Sequence, residues 1–566
     1  MVNNRRLAAS RYFLWGAWGL LPVKVWSVLL KPVRDPDLFW HLAAGREMLE
    51  KHRFLWTDVF SQPFYGQSWI NTEWLFEVAV FLLEKYLGWE GLYWAKIFFS
   101  ISVLAALVWS IRTAGARQGR LFFLSVAGFL VLQQRLFERA ELFTFLFLGV
   151  ELILILRARQ HPARSFPWIM AGIVALWVNI HSGVVYGVGL LALLNVGARW
   201  SGEEPSFIKV MNQALLLAGF ALLLNPYGGR LLLFYWDVFG QIQGELHNLI
   251  LEWARPTLRS APYYWVLFLA SGVIIVDGML REKKTMGFWI PAAVIFSIWS
   301  SNHLRSTALL PFVVLPMAAG WKKTTSRAPS PVIEGLFIFG GVLLICFSPL
   351  KIKRPPSEVD WYRFPVGACS FIQESGLEGK MYNTHHFGGY IQWKMGPTQK
   401  TFMDGRYLSY SLAIQDTNVF DDLLASGGAQ AWLRRLKTFG FDFAVTDYME
   451  SLWKVVEARS QTPEIPYFDR LFPVEDWALV FWDDAALVFV RRTPQWLSLI
   501  QRHEYRALKP YRMDRFRSPL AHKMDFSEVL RKDLARHRSD VNFSVVRQKI
   551  EALLVSPPEE QKPLTF

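Results

Sequence analysis

The sequence predicts an α-helical polytopic membrane protein of about eleven spans with a C-terminal extracytoplasmic α/β domain. Three observations support this fold class. Of the 566 residues, 52% are hydrophobic and 16% are aromatic, which is too apolar for an ordinary soluble protein of this size. Apolar runs of roughly 20 residues recur up to about residue 350. Beyond that point, short strand and helix patterns alternate.

The candidate spans are apolar runs separated by charged or turn-forming residues. They lie at approximately 12–31, 90–111, 121–136, 141–156, 167–180, 183–198, 210–225, 262–280, 286–300, 305–320 and 331–349. Together they predict a transmembrane domain over residues 1–350. The N-terminus is basic and then apolar, without a small-residue cleavage site, so we expect an uncleaved anchor.

The stretch 69–88, "WINTEWLFEVAVFLLEKYLG", is apolar on one face and carries Glu73, Glu77 and Glu84 on the other. This pattern predicts an amphipathic helix lying in the interface. When the stretch is left out of the span count, the basic groups of the loops fall on one side, as the positive-inside rule requires. We therefore expect a cytoplasmic N-terminus, a first external loop with its interfacial helix over 32–89, and an extracytoplasmic C-terminal part.

The C-terminal part opens with the Pro-rich, charged "KIKRPPSEVD" and continues with segments such as "DFAVTDY" and "WALVFWDDAALVFVRR". We expect an extracytoplasmic α/β domain over 351–492 and a basic helical tail over 493–566. The formal net charge of +14 is interpreted as basic cytoplasmic loops rather than nucleic-acid binding. Two cysteines, Cys346 and Cys369, are too few for a disulfide framework or a metal site.

The most unusual polar stretch is "RDPDLFWH", just beyond the first span. Asp35 and Asp37 flank Pro36, which interrupts a helix. Two carboxylates this close repel each other unless a divalent cation bridges them or they share a proton. A carboxylate with a raised pKa can act as a general base. The simpler alternative is that the two acids cap a helix at the surface.

Other ionisable residues fall on the same predicted side. They include His41, Arg46, Arg135, Glu138, Arg139, Glu141, His181, Glu245, His247, Glu252 and Arg305. Ionisable groups at span ends are functional candidates. Simpler interpretations stand beside several of them: Arg46 snorkels to the interface, and His181 is an interfacial histidine.

In the C-terminal domain, "FMDGR" suggests a turn with an Asp404–Arg406 contact. The neighbouring His385 and His386 would point opposite ways in an extended strand, so they do not form a metal pair unaided.

The external loop, from "DPDLFWHLAAGREML" to "PFYGQSWINTEWLFE", resembles that of the GT-C superfamily of membrane glycosyltransferases. It is most similar to the loop of the catalytic subunit of oligosaccharyltransferase. The chain as a whole resembles a group of uncharacterised bacterial multi-span membrane proteins over about residues 1–492. The motifs that carry the likeness are Asp37–Gly45, Arg139–Thr144, Asn179–His181, Leu224–Gly228 and Gly388–Arg406.

The resemblance implies a GT-C-like glycosyltransferase in a bacterial inner membrane, with a polyprenyl-phosphate-linked sugar as donor. Asp37 would be the general base, supported by Asp35, or both would bind a divalent cation such as Mg²⁺ or Mn²⁺. The residues expected to bind substrate are His41, Arg139, His181, Arg305 and Glu141. The segment Gly388–Arg406 would cover the site or present the acceptor.

The sequence also departs from the enzymes it resembles. It lacks the Trp-Trp-Asp-Tyr-Gly motif with which oligosaccharyltransferases read a protein acceptor, and it has Glu138 and Glu141 where aspartates are usual. Two alternatives therefore stay open. One is a non-catalytic GT-C-like scaffold or assembly subunit of a larger complex, and the other is a transporter of lipid-linked glycans.

Overall fold

The computed structural model describes residues 2–242, 252–281, 286–321, 331–348, 357–409, 412, 429–447, 467–512, 515–516 and 524–555. The predicted site candidates Glu245 and His247 lie outside these residues. The chain divides into two compact units. The first unit contains Met1–Asp35 and Ile70–Val359, and the second contains Pro36–Trp69 and Asp360–Phe566.

Helices dominate the chain up to residue 347. In order they are α1 (Val2–Leu29), α2 (Asp37–Glu50), α3 (Trp74–Ala114), α4 (Gln118–Leu132), α5 (Glu141–Gln160), α6 (Phe166–Trp177), α7 (Val184–Ser201), α8 (Pro205–Ala221), α9 (Arg230–Ile242), α10 (Pro262–Arg281), α11 (Ile290–Asn302), α12 (Leu310–Gly320) and α13 (Pro331–Phe347). A 3₁₀ turn, Leu304–Leu309, precedes α12.

The first unit carries the membrane-type helices. Among the described residues, three helices are long and apolar enough to cross a membrane, namely Trp74–Ala114, Val184–Ser201 and Pro262–Leu280. Shorter apolar helices accompany them, among them Gln118–Leu132 and Phe166–Trp177. The helical membrane architecture is thus present, but the predicted number of about eleven spans is not confirmed.

Large apolar side chains lie on the outside of these helices. Trp168 is 69% exposed, Leu269 67% and Phe98 64%. Apolar surface of this extent is costly in water but favourable against lipid tails. The chain is therefore a membrane protein, in agreement with its composition.

The stretch predicted to be an interfacial helix is helical, but the helix begins at Trp74 rather than at residue 69. It runs to Gly88, whose backbone is non-helical (φ 64°, ψ −166°), and the chain then continues as the rest of α3. Glycine adopts this left-handed φ readily because it has no Cβ. The break separates residues 74–87 from the apolar run that the sequence assigned to the second span.

The second unit is built around a four-stranded sheet. Its strands are β1 (Met381–Asn383), β2 (Phe443–Asp447), β3 (Trp477–Trp482) and β4 (Ala486–Arg491), in the order β1-β2-β4-β3. β1 is parallel to β2, and β4 is antiparallel to both of its neighbours. Met381 pairs with Phe443 and Leu479 with Phe489, with a bulge after Leu479. The sequence prediction of a small α/β domain is therefore confirmed.

Helices of the second unit pack around this sheet. They are α14 (Val366–Ser375), α15 (Gly388–Met395), α16 (Ala429–Phe439), α17 (Tyr467–Leu471), α18 (Leu497–His503), α19 (Met524–Asp540) and α20 (Val545–Val555). His385 and His386 lie in a 3₁₀ turn before α15 rather than in an extended strand.

The division into units differs from the predicted domains at two points. Residues 36–69, assigned from the sequence to the transmembrane domain, belong with the C-terminal part. The predicted separate tail, 493–566, contributes Tyr505, Leu530 and Ile550 to the core of the second unit. In the same unit the ring of His537 stacks on Trp482 with centroids 3.8 Å apart. The described part of the tail is helical as predicted, but several of its apolar residues, Tyr505, Leu530 and Ile550 among them, are core residues.

Candidate functional site

Asp35 lies in a network of ion pairs in the first unit. Its carboxylate accepts hydrogen bonds from two nitrogens of Arg139, and the longer of these is 3.2 Å. The backbone N–H groups of Arg34 and Asp35 both donate to Glu138, at 2.5 and 2.8 Å. Asp35 is 5% exposed. It is thus held by a cation from the segment between α4 and α5 rather than lying free at the surface.

Two further arginines belong to the same network. Arg135 donates to Glu141, with its Nε at 2.9 Å, and Arg305 donates to the other oxygen of Glu141 at 3.2 Å. Glu141 is the first residue of α5, and Arg305 lies in the 3₁₀ turn after α11. Glu252 links Arg135 to Arg139, so the predicted residues Asp35, Arg139, Glu141 and Arg305 belong to a single network. We call this network the ion cluster.

Glu252 closes the ion cluster from the segment before α10. Its carboxylate lies 2.8 Å from Arg139 and 3.0 Å from Arg135. Its side chain is 26% exposed, more than that of any other acid in the cluster. Burial alone would raise the pKa of Glu252, but Arg139, Arg135 and Arg305 outweigh burial and lower the pKa to about 2. Glu252 is therefore ionised at neutral pH and bridges two guanidinium groups as an anion.

His181 is 5% exposed and lies beside the ion cluster, in the turn between α6 and α7. The N–H of Gly183 donates to its Nδ1 at 2.9 Å, so Nδ1 is an acceptor and the neutral ring carries its proton on Nε2. Nε2 lies 3.4 Å from the carboxylate of Glu73. Burial and the nearby arginines lower the pKa of His181 to about 3 although Glu141 acts to raise it. His181 is therefore neutral at pH 7, with its proton facing Glu73.

Two of the sequence motifs hold the backbone around Glu73. Asn179 accepts a hydrogen bond from the indole N–H of Trp74 at 2.9 Å, and its amide donates to the carbonyl of Leu224 at 2.8 Å. The hydroxyl of Tyr227 accepts from the N–H of Asn71 at 2.8 Å. The motifs Asn179–His181 and Leu224–Gly228 thus act together, because both fix the segment that leads into α3.

Asp37 belongs to the second unit, as the first residue of α2. It packs against the Asp-Gly-Arg turn: a Cβ added at Gly405 would collide with Oδ1 of Asp37 and lie 3.2 Å from Nε1 of Trp40. The backbone of Pro36 and Trp40 also approaches Gly389, where a Cβ would lie 2.7 Å from the carbonyl oxygen of Pro36. A side chain at Gly389 would require the backbone to shift, whereas a side chain at Gly405 would displace the carboxylate of Asp37. Pro36, which occupies the cap position of α2, offers no side-chain cap.

His41 is buried, at 3% exposure, and its ring stacks on Trp40 with centroids 3.6 Å apart. The structure therefore brings Asp37 and Trp40 together with the Gly388–Arg406 segment, and His41 stacks on Trp40. Arg46, further along α2, donates to the carbonyls of Gln392 and Gly396 and stacks on Trp393. The alternative that Arg46 snorkels to the interface is therefore wrong, because its guanidinium packs against α15.

The predicted Asp404–Arg406 contact is confirmed, at 2.6 Å, and it has a third member that the sequence did not indicate. Arg406 also donates to Asp58 at 2.7 Å, and all three side chains are at most 1% exposed. Burial would raise the pKa of Asp404, but Arg406 holds it below its ordinary value. The guanidinium lies over the ring of Trp69 at 4.7 Å. This buried triad fixes the Asp-Gly-Arg turn against which Asp37 packs.

Within the described residues, no group of three or more His, Cys, Asp or Glu side chains is placed to hold a metal ion. Asp35 instead neutralises Arg139, and Asp37 lies in the other unit. The divalent cation at Asp35 and Asp37 stays a prediction from the resemblance, and no chemical step is assigned to it.

Of the predicted site residues, Asp35, Arg139, Glu141, His181 and Arg305 share the first unit, and Asp37 and His41 share the second. The residues that the sequence did not select as site residues are those that complete each cluster. They are Glu73, Arg135, Glu252, Asp58 and Arg406. Spacing indicated the contact of Arg406 with Asp404, but it could not reveal Glu73, Glu252 or Asp58, because their partners are distant in the sequence. Their polarity at the ends of apolar runs was the available signal.

No protein-family model matches the sequence, and no curated protein matches it either. Solved structures do. The apo oligosaccharyltransferase of Archaeoglobus fulgidus is similar with a TM-score of 0.50 and 9% identity, over 85% of this chain and 75% of that one. The same organism's AglB in complex with an inhibitory peptide and a dolichol-phosphate has a TM-score of 0.49 and 10% identity, over 77% and 69%. ArnT of Cupriavidus metallidurans bound to undecaprenyl phosphate has a TM-score of 0.32 and 11% identity, over 84% and 97%. The first of these shows that the chain has the oligosaccharyltransferase fold.

Proposed function

We propose that the protein is a membrane glycosyltransferase that moves a sugar from a polyprenyl-phosphate-linked donor to an acceptor on the outer face of a bacterial plasma membrane. The observation that supports it most is the ion cluster: three guanidinium groups, of Arg135, Arg139 and Arg305, lie together in a chain with the oligosaccharyltransferase fold. Guanidinium groups bind phosphate as they bind carboxylate, through two parallel hydrogen bonds.

The donor phosphate would take the position of Glu252. This carboxylate already bridges Arg135 and Arg139 as an anion, and it is more exposed than the other acids of the cluster. Glu141 and Asp35 are each about nine-tenths buried or more and would stay paired. Exchange of one anion for another keeps the arginines neutralised throughout, so no buried cation is left without a partner.

His181 and Glu73 would bind the polar part of the substrate. His181 is neutral, and its Nε2 proton faces Glu73, so a substrate hydroxyl bound beside this pair could donate to the Glu73 carboxylate. Asp37 keeps its proposed role as the general base that removes a proton from the acceptor hydroxyl. Its carboxylate packs directly against Gly405, where a Cβ would collide with it.

The test is mass spectrometry of lipids that co-purify with the protein. We expect a polyprenyl-phosphate-linked lipid with the wild-type protein and its loss from the Arg139→Ala and Arg305→Ala variants. Arg159→Ala is the matched control, because Arg159 forms an ion pair with Glu203 at the opposite end of α5. Absence of any polyprenyl lipid from correctly folded wild-type protein would favour the non-catalytic scaffold.

A further inference from the structure

An apolar groove lies between α1 and α3, in the first unit. Its volume is about 750 Å³, and its walls include Trp18, Val25 and Trp26 of α1 and Leu104 and Trp109 of α3. Apart from Arg112 at one end, the lining residues are all apolar. Trp26 and Trp109 are 41% and 51% exposed. Because these apolar helices face lipid, the groove opens towards the acyl chains of the bilayer.

One cationic side chain lines an end of the groove, and a second lies beside it. Arg112 lines it in the last turn of α3, and Arg157, in the last turn of α5, lies over the ring of Trp109 at 5.0 Å. In the part of the chain that the structure describes, neither guanidinium lies within 4.0 Å of a carboxylate. The arginines of the ion cluster differ in this respect, since each of them is neutralised by at least one acid.

The cationic end of the groove is distant from the candidate site. Glu141 of the ion cluster is the first residue of α5, whereas Arg157 lies in its last turn. At a rise of about 1.5 Å per residue, the two positions are separated by roughly 24 Å along the helix, which approaches the thickness of a bilayer core. The cationic end of the groove and the ion cluster therefore lie at opposite ends of α5, separated by about the thickness of a bilayer core.

We propose that this groove binds an anionic phospholipid from the leaflet opposite the candidate site. The phosphate would lie on Arg112 and Arg157, and an acyl chain would occupy the apolar length between α1 and α3. Basic pockets between transmembrane helices bind anionic headgroups in this way. A zwitterionic lipid should bind more weakly, because its own cationic group is repelled by the two guanidinium groups. This lipid is distinct from the proposed donor and does not depend on the proposed function.

The experiment is native mass spectrometry of the purified full-length protein titrated with phosphatidylglycerol, and separately with phosphatidylcholine and undecaprenyl phosphate. We expect one saturable phosphatidylglycerol adduct in the wild type. The double variant Arg112→Ala/Arg157→Ala should lose about tenfold or more in affinity for it. The variant Arg112→Lys/Arg157→Lys, which keeps both charges, should retain the adduct.

Arg117→Ala is the matched control. Arg117 is exposed at the same end of the membrane helices, as the residue before α4, but it does not line the groove. The proposal is overturned if the double alanine variant binds phosphatidylglycerol as the wild type does, or if Arg117→Ala loses it equally. It is also overturned if phosphatidylcholine binds equally well, or if undecaprenyl phosphate displaces phosphatidylglycerol at equal concentration.

Discussion

Arg406 donates to Asp58 at 2.7 Å across 348 positions of sequence, and both side chains are almost completely buried. With Asp404 on its other side, the guanidinium lies between two carboxylates. A buried ion pair of this kind adds little net stability over apolar residues of the same volume, but losing one partner is costly. The contact therefore ties the segment after α2 to the Asp-Gly-Arg turn.

The Arg406→Ala variant should be strongly destabilised. Removal of the cation leaves two buried carboxylates without a partner, which costs about 3–5 kcal/mol. The loss would be measured as a fall in the thermal unfolding midpoint of the purified protein. Arg434→Ala removes an exposed arginine of α16 and should change stability by no more than about 0.5 kcal/mol. Equal midpoints for the two variants would show that the triad is not structural.

The Asp37→Asn variant should abolish sugar transfer without loss of expression. The amide keeps the shape of the carboxylate but cannot act as a general base, a role that contributes about 10²-fold or more to the rate. Consumption of a labelled polyprenyl-phosphate-linked sugar is the measurement. Glu50→Gln, at the exposed end of the same helix, should be fully active. Full activity of Asp37→Asn would show that Asp37 is not the general base.

Gly405→Ala should impair transfer because its Cβ would displace the carboxylate of Asp37. We expect a lower kcat with little change in the KM for the donor, since the ion cluster is untouched. Gly335→Ala is the control, because its Cβ would meet nothing within 4 Å. Equal kcat values for Gly405→Ala and the wild type would mean that the position of Asp37 does not matter.

Glu252→Gln should bind the donor lipid more tightly. The substitution removes the anion that bridges Arg135 and Arg139, so a phosphate no longer competes with it. We expect a gain in affinity of about threefold to tenfold for a labelled polyprenyl phosphate in detergent. Glu90→Gln, an exposed acid of the same unit, should have no effect. Weaker donor binding by Glu252→Gln would argue instead that the Glu252 carboxylate contacts the donor directly.

Lowering the pH below about 6.5 should reduce the free energy of unfolding, because buried His181 is neutral in the folded protein. Burial lowers the pKa of His181 from 6.5 to about 3. Between these pH values the unfolded chain binds a proton that the folded chain does not, so stability falls as the pH falls, by up to about 1.4 kcal/mol per unit. His181→Gln removes this contribution.

The check is the difference in unfolding midpoint between pH 7 and pH 5. It should be smaller for His181→Gln than for the wild type, whereas His161→Gln, which replaces an exposed histidine, should behave as the wild type does. An unchanged pH dependence in His181→Gln would show that this histidine titrates normally.

Much of the fold could be predicted from local patterns. The apolar runs became the helices of the first unit, and "DFAVTDY" and "WALVFWDDAALVFVRR" became β2, β3 and β4, because hydrophobic periodicity reports local burial directly. The tail after residue 492 gave no such guidance. Tyr505 and Ile550 are buried because they pack in the same core as residues of the sheet, which are distant from them in sequence.

For the site, the sequence alone determined which residues are unusual: Asp35, Asp37, Arg139, His181 and Arg305 are polar residues at the ends of apolar runs. Only the tertiary structure decided their partners. It assigned Asp35 to Arg139, Arg305 to Glu141 and His181 to Glu73, and it packed Asp37 against Gly405. The physical reason is that the cost of an ionisable group outside water is a property of its local position, whereas the charge that offsets this cost can come from any part of the chain.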